Sequence, residues 1–261
     1  MKTDTAVYET DVEGDFALRT GALFVHANKP WSQKPYGAEE RLPNIFAIHN
    51  HAVKKGWRVL GSGDRHFYED AELIRNKGGV FNDHCMNGTW GQLRLAELEP
   101  QKDVYIRAKD GPMMGVRIYS EEELKRYAES DAQLIFEKQS YDVNTNPNYV
   151  PTLKLLIENG LKRIIFNGFA TDYCVKAAVL ATAKHGFRYN SNLRLYIVTD
   201  AIEEVDINFQ GQVDPLFGRR ALDEMAAAGA KLVTTKDVLD ENFCNEKLNL
   251  EQRTEARGVR I

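Results

Sequence analysis

A thiol becomes a nucleophile when its surroundings favour negative charge on sulfur, and Cys174 sits in a stretch that can supply such surroundings. It lies in Asn167-Gly-Phe-Ala-Thr-Asp-Tyr-Cys-Val175, where a β-branched run over 161–166 passes through a glycine turn into an alanine-rich helical pattern. The pattern predicts a helix over 172–185 that Gly186 would end, with Cys174 in its first turn. Unpaired N–H groups there carry partial positive charge, which favours a thiolate and offers donors to a developing oxyanion. The competing role is that of a small buried apolar residue, the usual fate of a free cysteine.

Three further clusters follow other β-like runs. Asp11 opens Asp11-Val-Glu-Gly-Asp15-Phe16, as a general base or as a turn residue; Asp15 reads as the latter. In Gly61-Ser-Gly-Asp64-Arg-His66, a carboxylate and an imidazole two residues apart on an extended segment point to one side and can share an ion. Phe81-Asn-Asp-His84 adds a second imidazole in a glycine-bearing loop, and Glu69, Asp70 and Glu72 lie between the two. Imidazole and carboxylate ligands suit zinc, manganese or iron, and open positions would make the site a binding or Lewis-acid centre. His26, His49, His51 and His185 have no such acidic company in sequence and read as structural or surface residues. Lys138 ends the run Leu134-Ile-Phe-Glu-Lys138, either holding a nearby thiolate or standing as a solvated edge charge.

The elements that must position these groups alternate along the chain. Apolar β-rich runs at 6–10, 57–61, 104–107, 134–136, 162–166 and 193–198 are interleaved with helical patterns at 42–55, 121–128, 151–158, 172–185 and 217–228. That order predicts an α/β fold, a doubly wound, mostly parallel sheet with helices on both faces, whose strand carboxyl ends carry the site. Residues 144–148 form a turn cluster and 210–214 a surface loop. One domain over 1–261 is expected, with a charged peripheral segment from about 240. Hydrophobic residues make up 43% of the chain, and 34 basic residues against 38 acidic give a net charge of −4. This composition offers no electrostatic case for nucleic acid or an anionic membrane and favours small-molecule chemistry. The amino-terminal residues lack an apolar secretory core, no run approaches a membrane span, and three cysteines (Cys85, Cys174, Cys244) suit free thiols in a reducing cytoplasm.

Together and in this order, the four clusters resemble the isochorismatase-like cysteine hydrolase superfamily, most closely its nicotinamidase/pyrazinamidase branch, over roughly residues 7–239. Asp11-Val-Glu-Gly-Asp-Phe16 with Gly21-Ala-Leu is similar to the family's Asp-Val-Gln-Asn-Asp-Phe and Gly-Ala-Leu, and Gly168-Phe-Ala-Thr-Asp-Tyr-Cys174-Val to its nucleophile motif. The resemblance implies the isochorismatase-like hydrolase fold, a triad of Asp11, Lys138 and Cys174, a cis bond at Phe169–Ala170, and an oxyanion hole from the Ala170 and Cys174 N–H groups. It implies pocket walls at Phe16, Phe81 and Tyr141 and one divalent metal ion, zinc foremost with manganese or iron as alternatives, held by Asp64, His66 and His84. Two departures stand out: Arg65 replaces the usual aromatic residue between Asp and His, and the usual second downstream histidine is absent. Among Glu69, Asp70 and Glu72, Glu72 lies at a similar distance and is the expected substitute. The implied activity is conversion of nicotinamide to nicotinate and ammonia through a Cys174 thioester, in cytoplasmic NAD metabolism. A different amide, an N-carbamoyl compound or an isochorismate-like substrate is the alternative. The long charged segment 112–131 is expected to be a lid or an oligomer contact, and pairing of helical surfaces into a homo-oligomer is expected.

Overall fold

A computed structural model describes residues 3–28, 33–98 and 103–244. The charged segment expected from about 240 lies outside the described residues beyond position 244. Among the described residues, seven strands form one sheet: β1 Thr5–Thr10, β2 Arg58–Asp64, β3 Asp103–Ile106, β4 Gln133–Lys138, β5 Arg163–Phe169, β6 Arg194–Glu203 and β7 Ala230–Val233. Their order is β3-β4-β2-β1-β5-β6-β7, and every neighbouring pair is parallel, so the sheet is wholly rather than mostly parallel. The short β7 has no clear signature in the sequence pattern, because two of its four residues are exposed.

The helices are α1 Gly14–Ala17, α2 Leu42–Lys55, α3 Glu121–Glu129, α4 Tyr149–Glu158, α5 Lys176–Tyr189, α6 Phe217–Ala227 and α7 Thr235–Leu239. Alternation along the inner strands divides the core into two layers. Tyr8, Phe136, Ile164 and Phe166 pack with α3, α4 and α5 on one face, while Val7, Val59, Ile165 and Val198 pack with α2 and α7 on the other. Helix α2 ends where expected, at a left-handed Gly56. Gly186 does not end α5, which continues to Tyr189; a Cβ at that position would lie 2.6 Å from Leu193 Cδ2, so the glycine serves packing rather than termination.

The strand order reverses beside β1. The chain builds outward from β1 through β2 on one side and returns to its other side with β5, leaving a crevice at the carboxyl ends of the central strands. Gly168 allows β1 and β5 to approach closely at that crevice: its φ is +104°, and a Cβ would lie 2.0 Å from the Thr10 carbonyl oxygen. Part of the segment 112–131 belongs to the core. Helix α3, started by a Ser120/Glu123 capping box, buries Leu124 and Ala128 in the core, and no residue of the segment lines the cavity described below.

Candidate active site

Asp11, Asp64, Lys138 and Cys174 come from the carboxyl ends of β1, β2, β4 and β5, which places all four beneath one crevice. The Lys138 ammonium is fully buried, 2.8 Å from Asp11 Oδ2, 2.5 Å from Asp64 Oδ1 and 3.8 Å from Cys174 Sγ. It is therefore no solvated edge charge; β4 is an inner strand and Lys138 ends it at the centre of the site. Ser62 donates its hydroxyl to Asp11 Oδ1 at 2.7 Å, and Asp11 adopts a left-handed φ of 49° while its N–H bonds the Ser62 carbonyl. Ser62 was not singled out from sequence, although alternation on β2 puts it on the side of Asp64.

Cys174 lies not in the first turn of α5 but in a π-type turn, Thr171–Val175, that leads into it. The Tyr173 and Val175 N–H groups both bond the Ala170 carbonyl, and the preceding Phe169–Ala170 bond is cis. The turn is held from behind: the buried Asp172 carboxylate accepts the N–H groups of Val205 and Asp206, and Tyr173 donates its hydroxyl to the Ile207 carbonyl. These bonds tie the β6–α6 loop over the crevice, so 205–211, read from sequence in part as a surface loop, closes one side of it.

Electrostatically the site differs from the helix-terminus expectation. Burial pushes the Cys174 thiol well above its ordinary value, and the Asp11 and Asp64 charges add to this against the pull of Lys138. These influences favour the thiol over the thiolate at rest. Burial also raises Asp11, partly offset by Lys138. Lys138 itself is disfavoured as a cation by burial, yet the two carboxylates outweigh this and hold its pKa well above the usual lysine value. The result is a buried cation shared by two carboxylates within reach of the Cys174 sulfur.

Beside this group stand Asp64, His66 and His84, whose potential ligand atoms lie within 4.8 Å of one another. His84 donates from Nδ1 to the Asn82 carbonyl at 2.6 Å, and His66 Nδ1 lies 3.2 Å from Asp70 Oδ2. Both rings thereby turn Nε2 toward Asp64 Oδ2, at 3.6 Å for His84 and 3.7 Å for His66. The His66 Nε2 is buried without a hydrogen-bond partner. An orphaned imidazole nitrogen beside a carboxylate and a second imidazole fits a divalent cation of the zinc, manganese or iron kind. Of the three acids weighed from sequence, Glu69 is exposed and Asp70 is engaged behind His66. Glu72 lies on the cavity wall, accepting the Tyr141 N–H through Oε1 and leaving Oε2 buried and unpartnered; burial and the Asp64 charge raise its pKa to about 7. It is not part of the 4.8 Å group.

Above these groups opens a cavity of about 250 Å³, bounded by Phe16, Phe81, Tyr141 and Tyr173, with Phe209 toward solvent and Cys174 and Asp64 at its floor. Phe16 and Phe81 flank the His84 ring at 5.2 and 6.0 Å between centroids. Tyr173 and Phe209 escaped sequence reasoning because an aromatic residue in a loop gives no sign of which way it faces. The histidines set aside from sequence stay outside the site; His49, for example, is buried against Glu9 at 2.9 Å. Asp15 does serve as a turn residue, accepting the Ala22 and Cys85 N–H groups.

The isochorismatase domain matches residues 119–237, a stretch that holds Lys138 and Cys174 but neither Asp11 nor the Asp64/His66/His84 group. A nicotinamidase of Escherichia coli (strain K12) is 35% identical over 82 residues, 31% of this chain and 33% of that protein. The match thus spans about a third of the relative's length. Among solved structures, the pyrazinamidase of Pyrococcus horikoshii in complex with zinc is 24% identical with a TM-score of 0.59, covering 89% of this chain and 99% of its own. A nicotinamidase of Acinetobacter baumanii is 19% identical with a TM-score of 0.61, covering 90% and 98%. The chain therefore shares the fold of these hydrolases, and over residues 119–237 it is similar to the isochorismatase domain.

Proposed function

We propose that this chain is a cysteine amidohydrolase that converts nicotinamide to nicotinate and ammonia, with Asp11, Lys138 and Cys174 as its catalytic residues. The observation that carries the reading is the buried Lys138 ammonium, 2.8 Å from Asp11 and 3.8 Å from the Cys174 sulfur at the floor of an aromatic-walled cavity. Because the thiol is favoured at rest, the nucleophile forms as attack proceeds: Asp11 takes the proton while the sulfur bonds the amide carbon. Lys138 keeps its charge throughout and balances the anion that would otherwise face two carboxylates. The Ala170 and Cys174 N–H groups receive the tetrahedral oxyanion, a contribution on the order of 3 kcal/mol per donor. Asp11 returns its proton to the departing ammonia, leaving an acyl-thioester on Cys174. Water then attacks the thioester, yielding the acid and restoring the thiol.

Phe16, Phe81 and Tyr141 provide a ring-shaped slot over the sulfur. Asp64, His66 and His84 would hold the divalent cation, with Glu72 as a further acid on the cavity wall. Such an ion, when bound, supplies a Lewis-acid contact for a pyridine nitrogen or its bound water and so favours azine carboxamides over aliphatic ones. The similarity to nicotinamidases and pyrazinamidases supports that preference. A homo-oligomer and a place in the cytoplasm belong to the same proposal; among the described residues, no helix is long and apolar enough to cross a membrane.

The test is ammonia release from nicotinamide by zinc-supplemented protein beside Cys174→Ala. Wild type should turn over and Cys174→Ala should lose about 10³-fold or more. Equal release by both would refute the nucleophile. No release by wild type, with turnover of an N-carbamoyl compound or another amide, would move the substrate and keep the chemistry.

A further inference from the structure

On the Asp64–Phe67 segment, Asp64 and His66 turn toward the site while Arg65 and Phe67 turn away, as an extended segment requires. The outward pair fastens a distant stretch of chain. Arg65 donates through Nε to Asn87 Oδ1 at 2.8 Å and through one terminal nitrogen to Glu137 Oε2 at 3.2 Å and the Lys109 carbonyl at 3.4 Å. Its other terminal nitrogen lies 3.5 Å from the Asp110 carbonyl. Phe67 is buried between two cations, its ring centroid 5.0 Å from the Arg65 guanidinium carbon and 4.8 Å from the Lys109 ammonium. Arg65, the residue that departs from the resembling pattern, thus fixes the backbone from which Lys109 reaches inward.

Lys109 pairs with Oδ1 of Asp70. That leaves Oδ2 of the same carboxylate to accept the Phe67 N–H at 2.8 Å and to face His66 Nδ1 at 3.2 Å. A neutral imidazole carries one N–H, and an acceptor fixed at Nδ1 selects the form that is protonated there and bare at Nε2. In the neutral, cation-binding form of His66 that bare nitrogen would be Nε2, the buried atom without a hydrogen-bond partner beside Asp64 and His84.

We propose that Asp70 and Lys109, held in place by Arg65, are positioning residues that set the tautomer and ring orientation of His66 for a divalent cation. The inference rests on the reading that His66 is a ligand to that cation. Lys109 pins one oxygen of Asp70 so that the carboxylate cannot rotate away, and Asp70 pins Nδ1 so that the ring cannot flip. Carboxylate partners of ligand histidines typically contribute about 10–100-fold to metal affinity.

The test is zinc affinity of the full-length chain, measured by competition with a chromophoric chelator, for wild type, His66→Ala, Asp70→Ala, Lys109→Met and Lys109→Arg. His66→Ala should bind much more weakly. Asp70→Ala should lose about 10–100-fold, Lys109→Met should lose less in the same direction, and Lys109→Arg should recover most of that loss. In zinc-loaded wild type the His66 Nδ1 proton should appear as a slowly exchanging downfield resonance that Lys109→Met weakens, a readout independent of turnover. If Asp70→Ala does not fold, Lys109→Met and Lys109→Arg decide the matter. Unchanged zinc affinity in Asp70→Ala and Lys109→Met, with His66→Ala impaired, overturns the positioning role, as does a lower melting temperature with affinity intact. Unchanged affinity in His66→Ala overturns the ligand reading and this inference with it.

Discussion

Lys138 is the residue on which the site's charges depend, because its ammonium is the near neighbour of two carboxylates that have left water. Replacing it with methionine keeps most of the volume and removes the cation. Breaking a buried pair in this way costs about 3–5 kcal/mol, so the urea midpoint of Lys138→Met should fall accordingly; an unchanged midpoint would mean that Asp11 and Asp64 are compensated by other groups. The same variant shifts the thiol. Burial already raises Cys174, and losing the Lys138 cation beside it raises it further. Alkylation of wild type by iodoacetamide should therefore be slow near neutrality and accelerate only above the ordinary thiol range, and in Lys138→Met the rise should move to still higher pH. A rise in both proteins at the same pH would remove Lys138 from any part in setting the sulfur's charge. Asp11 and Lys138 could be picked out from sequence because each stands at the end of an apolar run, which marks a strand's carboxyl end, and Cys174 because it lies in the strand-to-helix junction that follows another such run. Ser62 and Lys109 could not, since their importance comes from partners 51 and 39 positions away.

At the level of elements, the strands that surround the site were legible because inner parallel strands are buried on both faces and read as continuous apolar runs. Edge strand β7, partly exposed, carries no such run. The nucleophile turn was legible as a strand-to-helix junction but not as a π-type turn, whose geometry depends on tertiary bonds from Asp172 and Tyr173 to the β6–α6 loop. Gly168 carries this junction. Its φ of +104° is strained for any side chain, and an added Cβ would meet the Thr10 carbonyl. Gly168→Ala should lose about 2–3 kcal/mol of stability and most of the turnover, because separating β1 from β5 moves Asp11 away from Cys174. Full activity in a folded Gly168→Ala would show that the junction tolerates the separation.

For the molecule as a whole, sheet order decides what can meet. With β1 and β2 adjacent, β4 beyond β2 and β5 returning on the far side of β1, the four strand ends open on one crevice although their residues span more than half the chain. The cation ligands use a smaller part of this frame. Asp64 ends β2, whereas His66 and His84 belong to the irregular segment after it, held by backbone bonds such as His66 N–H to the Cys85 carbonyl. An ion joining them would tie that segment to the sheet and bind the folded chain alone. A ligand at 100 times its dissociation constant stabilises by about 2.7 kcal/mol, which for a chain of this size raises the melting temperature by about 5–10 °C. Zinc at that ratio should produce such a shift in wild type, a chelator should reverse it, and His84→Ala should show little of it. Because His84 is buried and bonded to the Asn82 carbonyl, its loss should also lower the zinc-free melting temperature, so the zinc shift is compared within each protein. An equal zinc shift in His84→Ala would mean that the ion stabilises the protein from somewhere other than the crevice.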